Sequence, residues 1–281
     1  MAAGLRLTVI VDDSRGSKGL EPRHGLSILV ESRSGSVTTP VLMDAGPDPE
    51  TIARNVRAMN ADLRKVDAIF LSHGHRDHIG GLLYALGMIG KPVPVIAHPK
   101  AFSPKFVLSP KMRAVGSPFR VSEIEAKGGV PLLASNPVRI AKGIMTSGEV
   151  VRGTGFEKAE GFWTIENERL VEDRLLDDQA LILESEKGLV ILTGCAHSGI
   201  VNVVKHAETL TSRKNVHAVI GGFHLSKAGK ERIERTVSEL TRFNPRLIAP
   251  CHCSGTKATR EFVKKFGKRC KPLHVGDVVD L

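Results

Sequence analysis

The sequence predicts a single domain of the α/β class, on three observations. The 281 residues are 41% hydrophobic and 25% charged, which is typical of a globular chain with a large core. Short aliphatic runs alternate with segments of helical periodicity. No repeat, low-complexity segment or linker divides the chain. We therefore expect one domain over residues 1–281.

The first third of the chain alternates strand and helix patterns. Aliphatic runs predict four strands, over Leu5–Val11, Leu26–Glu31, Val41–Asp44 and Val66–Leu71. Between the last two, Asp48 and Pro49 are typical of a helix start. Three apolar residues then recur on one helical face: Ile52, Val56 and Met59. This pattern indicates a strand–helix–strand unit.

Regular patterns weaken between Gly90 and Asp178, where prolines are scattered and Val93–Ala97 is the one strand predicted. Long irregular stretches in a compact domain are usually lids or insertions. We therefore expect an inserted segment over about residues 99–177.

Regular patterns resume after this segment. A hairpin is predicted from two aliphatic runs, Ala180–Glu184 and Leu189–Thr193, and the four-residue turn between them. Two more strands are predicted, over Val216–Ile220 and Arg246–Pro250. Two helices are predicted, over Ile200–Glu208 with Ser198 as its cap and over Glu231–Arg242.

Charge and composition limit the possible partners. Lys and Arg outnumber Asp and Glu by 40 to 30, so the chain has a formal charge of +10 and favours anionic partners. Aromatic residues are only 4% of the chain, so few side chains are available to stack on nucleic-acid bases, and the composition does not favour a nucleic-acid partner. No apolar run could span a membrane and residues 1–8 lack a signal-peptide pattern, so we expect a cytoplasmic protein. The four cysteines are expected as reduced thiols.

The strongest chemical signal follows the strand at Val66–Leu71. Three imidazoles and one carboxylate occur within six residues: His73, His75, Asp77 and His78. The alternate pair His73 and His75 can face one metal, and Asp77 and His78 can reach a second position. Imidazole and carboxylate ligands suit zinc, iron, manganese or nickel. We expect one or two divalent ions, zinc first with iron or manganese as alternatives; a histidine-rich surface loop is the alternative without metal.

This segment matches an H-x-H-x-D-H signature and resembles the metallo-β-lactamase superfamily. The strand that ends at Asp44 is similar to the superfamily's first motif, in which an Asp supports the histidine loop. The strand that ends at His252 resembles the one that carries its last His. The resemblance implies a four-layer αββα sandwich with a mono- or dinuclear metal site at the edge of its two sheets.

Two motifs depart from the superfamily pattern. The third-motif His would fall near Asp178, where no His occurs, and the bridging Asp would fall near Cys195. His197 is the expected replacement ligand, and Asp178 or Cys195 could also bind metal. The alternatives are a helix start at His197, a solvated carboxylate at Asp178 and a small buried thiol at Cys195.

Two more histidines follow predicted strands. His252 is expected as the last metal ligand, rather than as a packed side chain or part of a zinc knuckle with Cys251 and Cys253. His224 follows two glycines and a phenylalanine, and its possible roles are ligand, proton shuttle, substrate donor or support. We expect Asp77 and His224 to be the catalytic groups, with Asp77 orienting or deprotonating the nucleophile.

A narrower resemblance rests on five segments, 23–27, 177–180, 194–202, 221–225 and 251–255. They are similar to those of the metal-dependent hydrolase group that includes dihydropteroate-synthase-like enzymes. The dihydropteroate-synthase-like enzymes of this group join a dihydropterin methyl diphosphate to a ribofuranosylaminobenzene 5′-phosphate. The resemblance implies a metal-dependent enzyme that acts on a phosphorylated small molecule, either by hydrolysis or by displacement of diphosphate.

Other polar residues are candidates for substrate binding. Glu21 and His24 lie on a segment that could fold over the site, or form an exposed pair on a turn. The inserted segment offers basic residues as phosphate contacts in a lid, and the alternative is a solvated face: Lys100, Lys105, Lys111, Arg113 and Arg120. Trp163 could stack on a planar ring or pack within the lid.

Two other functional classes remain open. A nuclease or phosphodiesterase of the same fold acting on nucleic acid would use the positive charge. A non-catalytic sensor of a metal or a small molecule would keep the metal-binding residues but would turn over no substrate.

Overall fold

The computed structural model describes residue 2 and residues 4–281. The strands of the first half are β1 Gly4–Val11, β2 Ser27–Ser34, β3 Val37–Met43, β4 Ala68–Phe70, β5 Val93–Ala97, β6 Lys105–Val107, β7 Arg113–Ala114 and β8 Gly129–Leu133. Those of the second half are β9 Arg139–Ala141, β10 Ile144–Thr146, β11 Phe162–Glu166, β12 Arg169–Glu172, β13 Ala180–Ser185, β14 Gly188–Thr193, β15 Val216–Gly222, β16 Leu247–Cys251 and β17 Val278–Asp280. The α-helices are α1 Pro49–Ala58, α2 Arg76–Ile79, α3 Leu82–Ile89, α4 Val121–Ala126, α5 Ile200–Thr211, α6 Lys230–Arg242 and α7 Thr256–Phe266.

Two sheets carry most of the strands. The first has the order β17-β1-β2-β3-β4-β5-β8, and its strands from β3 to β8 run parallel. The second has the order β16-β15-β14-β13-β10-β9, and β14, β15 and β16 run parallel. The carboxyl ends of parallel strands meet at one edge of a sheet, so the loops after these strands are brought together.

Three apolar layers hold the fold together. The middle layer joins the inner faces of the two sheets, with Val30 and Met43 packed in the same cluster as Leu183 and Leu192. A second layer packs the first sheet against α1, α3 and α4, and a third packs the second sheet against α5, α6 and α7. Helices therefore cover both outer faces, which confirms the predicted four-layer αββα sandwich.

The strands and helices predicted outside residues 99–177 are all present, with ends that differ by a few residues, and β5 agrees at both ends. The cap predicted for α5 was wrong, because Ser198 makes no side-chain bond to that helix. The backbone N–H groups of Val201 and Asn202 instead donate to the carboxylate of Glu157, at 3.0 and 2.9 Å. A carboxylate distant in sequence thus satisfies the free donors of the first turn.

The segment from residue 99 to residue 177 is more regular than its sequence indicates. β8 extends the first sheet, and β9 and β10 extend the second. The remaining strands form a small sheet of order β12-β11-β6-β7. Strands of two to five residues are too short for an alternating pattern to be recognised.

Two further observations concern membrane-spanning helices and thiols. Within residue 2 and residues 4–281, no helix has both the length and the apolar character that a bilayer crossing requires. The four cysteines are buried and none is in a disulfide, in agreement with the expectation of reduced thiols.

Candidate metal centre

His73, His75 and His197 form one group of buried imidazoles at the edge of the sandwich. His73 and His75 lie in the loop between β4 and α2, and His197 lies between β14 and α5. The Nδ1 atom of His75 is 3.0 Å from Nε2 of His73 and 3.1 Å from Nε2 of His197. Three ring nitrogens from two distant loops therefore converge on one position.

Asp77, His78 and His252 form a second group beside the first. The Nε2 atoms of His78 and His252 are 3.1 Å apart. One Asp77 carboxylate oxygen is 3.6 Å from Nε2 of His78 and 3.3 Å from Nε2 of His252. The rings of His73 and His78 lie 4.2 Å apart, so the two groups are adjacent.

The donor atoms of both groups fit a divalent metal. Nitrogen ligands about 2.0–2.1 Å from a tetrahedral zinc are about 3.3 Å apart, close to the separations observed here. In three of the rings the other nitrogen has its own acceptor: Ser72 for His73 (3.0 Å), Asp44 for His78 (2.7 Å) and Asp13 for His252 (2.6 Å). Each of these bonds uses Nδ1–H, which directs Nε2 toward the position that a cation would take.

The protonation states also suit metal binding. Burial, followed by neighbouring histidines, holds the pKa values of His73 and His197 well below the ordinary value. Burial likewise lowers the pKa of His75 to about 3. Burial raises the pKa of Asp77, but the adjacent His78 and His252 outweigh it and bring the pKa well below 3.8. Near neutral pH these three imidazoles are uncharged and the carboxylate is ionised, as metal ligands must be.

Asp44, which the sequence predicts as a support of the site, is hydrogen-bonded to the histidine loop. Its carboxylate accepts hydrogen bonds from the backbone N–H and the hydroxyl of Ser72, both at 2.7 Å, in addition to the bond from His78. Both Asp44 and Ser72 are fully buried. A Cβ on Gly194 would lie 1.9 Å from the Ser72 hydroxyl, so only glycine fits against this support.

A buried ion pair supports the same loop from the other side. The Lys105 ammonium is 2.8 Å from Asp173 and 2.9 Å from Asp177, and Asp177 also accepts the backbone N–H of Gly74 at 2.8 Å. Burial lowers the pKa of Lys105, but the two carboxylates outweigh burial and raise it. The expectation that Lys105 contacts phosphate in a lid was therefore wrong, since its side chain is 1% exposed.

Several residues around the site adopt left-handed backbone conformations. Asp44 (φ 59°), Ala196 (54°), His224 (47°) and His252 (47°) all lie in loops that follow strands of the two main sheets. This region of φ is uncommon for residues other than glycine and costs on the order of 1 kcal/mol each. The packing of the fold therefore maintains these turns beside the two ligand groups.

A cavity of about 800 Å³ opens beside Asp77 and His24. Nδ1 of His24 is 2.8 Å from Asp13, and its Nε2 is 3.4 Å from the Asp77 carboxylate. Glu21 also lines this cavity and is paired with Arg54 at 2.7 Å. The segment that carries Glu21 and His24 thus lies over the second ligand group.

Of the remaining candidate ligands, Cys195 and His224 contact imidazole rings of the two histidine groups and Asp178 does not. Cys195 lies 3.2 Å from Nε2 of His78. The ring of His224 packs on His197 at 4.2 Å. Asp178 accepts the backbone N–H of Ser198 at 2.8 Å and joins none of the ligand groups found among residue 2 and residues 4–281.

The aromatic residue at the centre is Phe162 rather than Trp163. Its ring lies 4.8 Å from His75, 5.1 Å from His197 and 5.9 Å from His224. Phe162 therefore forms an apolar wall beside the first ligand group, whereas Trp163 lies in register with Phe106 and Glu172 of the small sheet.

Three residues at the site were not predicted from the sequence: Asp12, Asp13 and Cys253. Asp12 accepts the backbone N–H of His252 at 2.7 Å, and Asp13 holds both His24 and His252. The two aspartates directly follow β1, so the signal that identified Asp44 after β3 could also have identified them. Cys253 was considered only as part of a zinc knuckle, although it lies beside Cys195.

Comparison with known proteins agrees with this geometry. The profile of the metallo-beta-lactamase superfamily matches residues 20–209. The chain is 36% identical over 263 residues to 7,8-dihydropterin-6-methyl-4-(beta-D-ribofuranosyl)-aminobenzene-5′-phosphate synthase of Methanocaldococcus jannaschii, covering 92% of this chain and 90% of the relative. It is 34% identical to an uncharacterised protein of the same organism, covering 89% and 91%.

A solved structure is also similar. Tm1679, named as a metal-dependent hydrolase of the beta-lactamase superfamily, has a TM-score of 0.83 and 27% identity, with 98% of each chain covered. A profile match over more than half of the chain and a 36% identical relative of nearly the same length lead to one conclusion: this chain belongs to the metallo-β-lactamase superfamily.

Proposed function

We propose that the protein is a metal-dependent enzyme that acts on a phosphorylated small molecule. The observation that carries this proposal is the position of the Asp77 group at the wall of a cavity lined by arginines. A volume of about 800 Å³ lies within the usual range of small-molecule sites, roughly 300–1,000 Å³. Four arginines line it: Arg23, Arg54, Arg76 and Arg113.

Two of these arginines are available to a substrate. Arg54 is paired with Glu21 at 2.7 Å, and Arg23 lies 3.6 Å from Asp48. Among residue 2 and residues 4–281, the side chains of Arg76 and Arg113 have no hydrogen-bond or ion-pair partner. Guanidinium groups match phosphate in charge and geometry, so we assign these two to a phosphate of the substrate.

The ligand groups described above would hold zinc, with iron or manganese as alternatives. When bound, a divalent cation of this kind supplies positive charge that stabilises phosphoryl oxygens and makes a nucleophile available at neutral pH. Asp77 faces the cavity and is placed to orient the nucleophile. His24, fixed by Asp13 and directed at Asp77, is placed to contact substrate from the open side.

Two reactions are compatible with such a site. In hydrolysis, a water oxygen forms a bond to the pterin methyl carbon, the bond from that carbon to diphosphate oxygen breaks, and the water loses a proton. In condensation, an arylamine nitrogen forms a bond to the pterin methyl carbon, the bond from that carbon to diphosphate oxygen breaks, and the amine loses a proton. Similarity to the M. jannaschii synthase over 92% of the chain favours condensation for this protein.

The test is an assay with both predicted substrates. The zinc-, manganese- or iron-loaded protein is incubated with a dihydropterin methyl diphosphate and a ribofuranosylaminobenzene 5′-phosphate, and the adduct and diphosphate are measured by mass spectrometry. We expect equal amounts of adduct and diphosphate, lost on chelation and restored by metal. Release of diphosphate in the absence of the amine would instead identify a hydrolase. Absence of both products with every metal would contradict the proposal.

A further inference from the structure

A sulfur-containing cluster lies next to the histidine groups. Cys195, His224 and Cys253 each offer one ligand atom, and these atoms lie within 4.8 Å of one another. The three residues follow β14, β15 and β16, three neighbouring parallel strands. The sheet topology itself therefore brings the cluster together at the edge where the imidazoles converge.

The backbone around these side chains is closely fitted. The backbone N–H of His224 donates to the sulfur of Cys253 at 3.3 Å. A Cβ on Gly222 would lie 2.7 Å from that sulfur and 2.3 Å from the Gly194 carbonyl oxygen, so glycine is required beside Cys253. His224 reaches the cluster through a left-handed backbone conformation. Both sulfurs thus have fixed positions, with 3% exposure for Cys195 and 8% for Cys253.

Two small buried thiols could simply fill core space, but His224 argues against that interpretation. Its Nδ1 atom is buried and has no hydrogen-bond partner among residue 2 and residues 4–281. A buried polar atom without a partner costs about 1–3 kcal/mol, so such atoms in native proteins usually have a ligand or an ion. Cys195 in addition lies only 3.2 Å from Nε2 of His78, within the ligand shell of the histidine groups.

We propose that Cys195, His224 and Cys253 form a further metal position, for a soft divalent cation of the zinc class. Sulfur and nitrogen ligands about 2.3 and 2.0–2.1 Å from a tetrahedral zinc are about 3.3–3.8 Å apart, which fits within the 4.8 Å spread of the cluster. Thiolate ligands favour zinc over magnesium or manganese. The position does not depend on the reaction assigned above, because its ligands bind the same cation whatever the substrate.

Cobalt substitution tests this assignment without an activity assay. The reduced, chelator-treated protein is titrated with Co²⁺ under argon, and the near-ultraviolet absorption of sulfur-to-cobalt charge transfer is recorded. We expect this band in the native protein, with clear losses in Cys195→Ser and in Cys253→Ser and complete loss in the double variant. Cys270→Ser is the matched control, because Cys270 is equally buried but belongs to no ligand group, and it should keep the full band.

Several outcomes would overturn the proposal. They are cobalt binding without any charge-transfer band, a full band in Cys253→Ser, and loss of the band in Cys270→Ser. If the serine variants fail to fold, X-ray absorption at the zinc edge of the native protein decides. A sulfur shell at about 2.3 Å supports the position, and a shell of nitrogen and oxygen alone contradicts it.

Discussion

The buried floor and the exposed rim of the candidate site are built in different ways. We call floor the candidate ligands His73, His75, His78 and His197 together with the residues Asp44 and Lys105, which pair with the histidine loop or its neighbours. We call rim the side chains His24, Arg76 and Arg113 around the cavity. Floor residues are buried and joined by several short hydrogen bonds, whereas His24 is 70% exposed at its side chain and Arg76 and Arg113 are exposed.

This difference in burial predicts different roles for the floor and the rim. A buried charge or polar group that loses its partner costs several kcal/mol, so the floor tolerates little change. Exposed charges are screened by water and salt, so a change at the rim affects only what binds there. We therefore expect the floor to determine metal retention and stability, and the rim to determine substrate affinity.

The largest effect is expected for His73→Ala, which removes a floor ligand. Metal content should fall by about one ion per chain, because the first ligand group loses one of its three imidazoles, and kcat/KM should fall by about 10⁴-fold, or about 5 kcal/mol. Elemental analysis after gel filtration and the substrate assay measure both. His217→Ala is the control, because His217 belongs to none of the ligand groups found in the described part of the chain. Unchanged metal content in His73→Ala would show that His73 is not a metal ligand.

The second test replaces Lys105 with Met and so leaves Asp173 and Asp177 unpaired. The free energy of unfolding in urea should fall by about 3–5 kcal/mol, because a broken buried ion pair leaves uncompensated charge. The matched control is Lys100→Met, which removes an exposed pair with Glu166 (2.7 Å) and should change stability by at most about 1 kcal/mol.

The pH dependence of the Lys105 pair has a defined sign. Its pKa in the folded state is raised above 10.5, so its contribution to stability is complete below about pH 10.5 and is lost as the pH rises through the folded-state value. The difference in unfolding free energy between native protein and Lys105→Met should shrink accordingly. Equal stability of the two proteins at pH 7 would show that this pair does not support the floor.

A smaller effect is expected for Asp44→Asn. Asn has the same shape and tolerates positive φ, but it lacks the charge that orients His78 and Ser72. Zinc affinity should fall about 10- to 100-fold, as measured by competition with a chromogenic chelator. Asp67→Asn, in an exposed pair with Lys91, should leave affinity unchanged. The same affinity in both variants would contradict the role given to Asp44.

The smallest effect is expected at the rim. Arg113→Ala should raise the KM for a phosphorylated substrate about tenfold, since one charge-assisted hydrogen bond is lost, with kcat and metal content nearly unchanged. Arg76→Ala should behave alike. Arg260→Ala, an exposed arginine of α7 outside the cavity, should have no effect. A fall in kcat at constant KM would place Arg113 in the chemistry rather than in binding.

The fold was predictable where strands are long and buried. The runs at β4, β14 and β16 are buried on both faces, and such runs identify strands covered by helices and a second sheet. Residues 99–177 gave no such signal, because β6 and β7 have only three and two residues and β6 pairs with β11, more than 50 residues later in the sequence.

The site was predictable where one short motif contains its ligands. His73, His75, Asp77 and His78 are within six residues, so their spacing alone predicts convergence. Lys105 and Glu157 could not be identified in this way, because their partners are about 40 to 70 residues distant and only tertiary contacts reveal them. The Lys105 pairs depend on the packing of the small sheet, because Lys105 lies in β6.

The most direct test of the central claim is an anomalous difference map from crystals of the protein produced with its native metals. We predict one peak within bonding distance of His73 Nε2, His75 Nδ1 and His197 Nε2, and a second beside Asp77, His78 and His252. Divergent side chains at positions 73, 75 and 197, with no peak among them, would contradict the account.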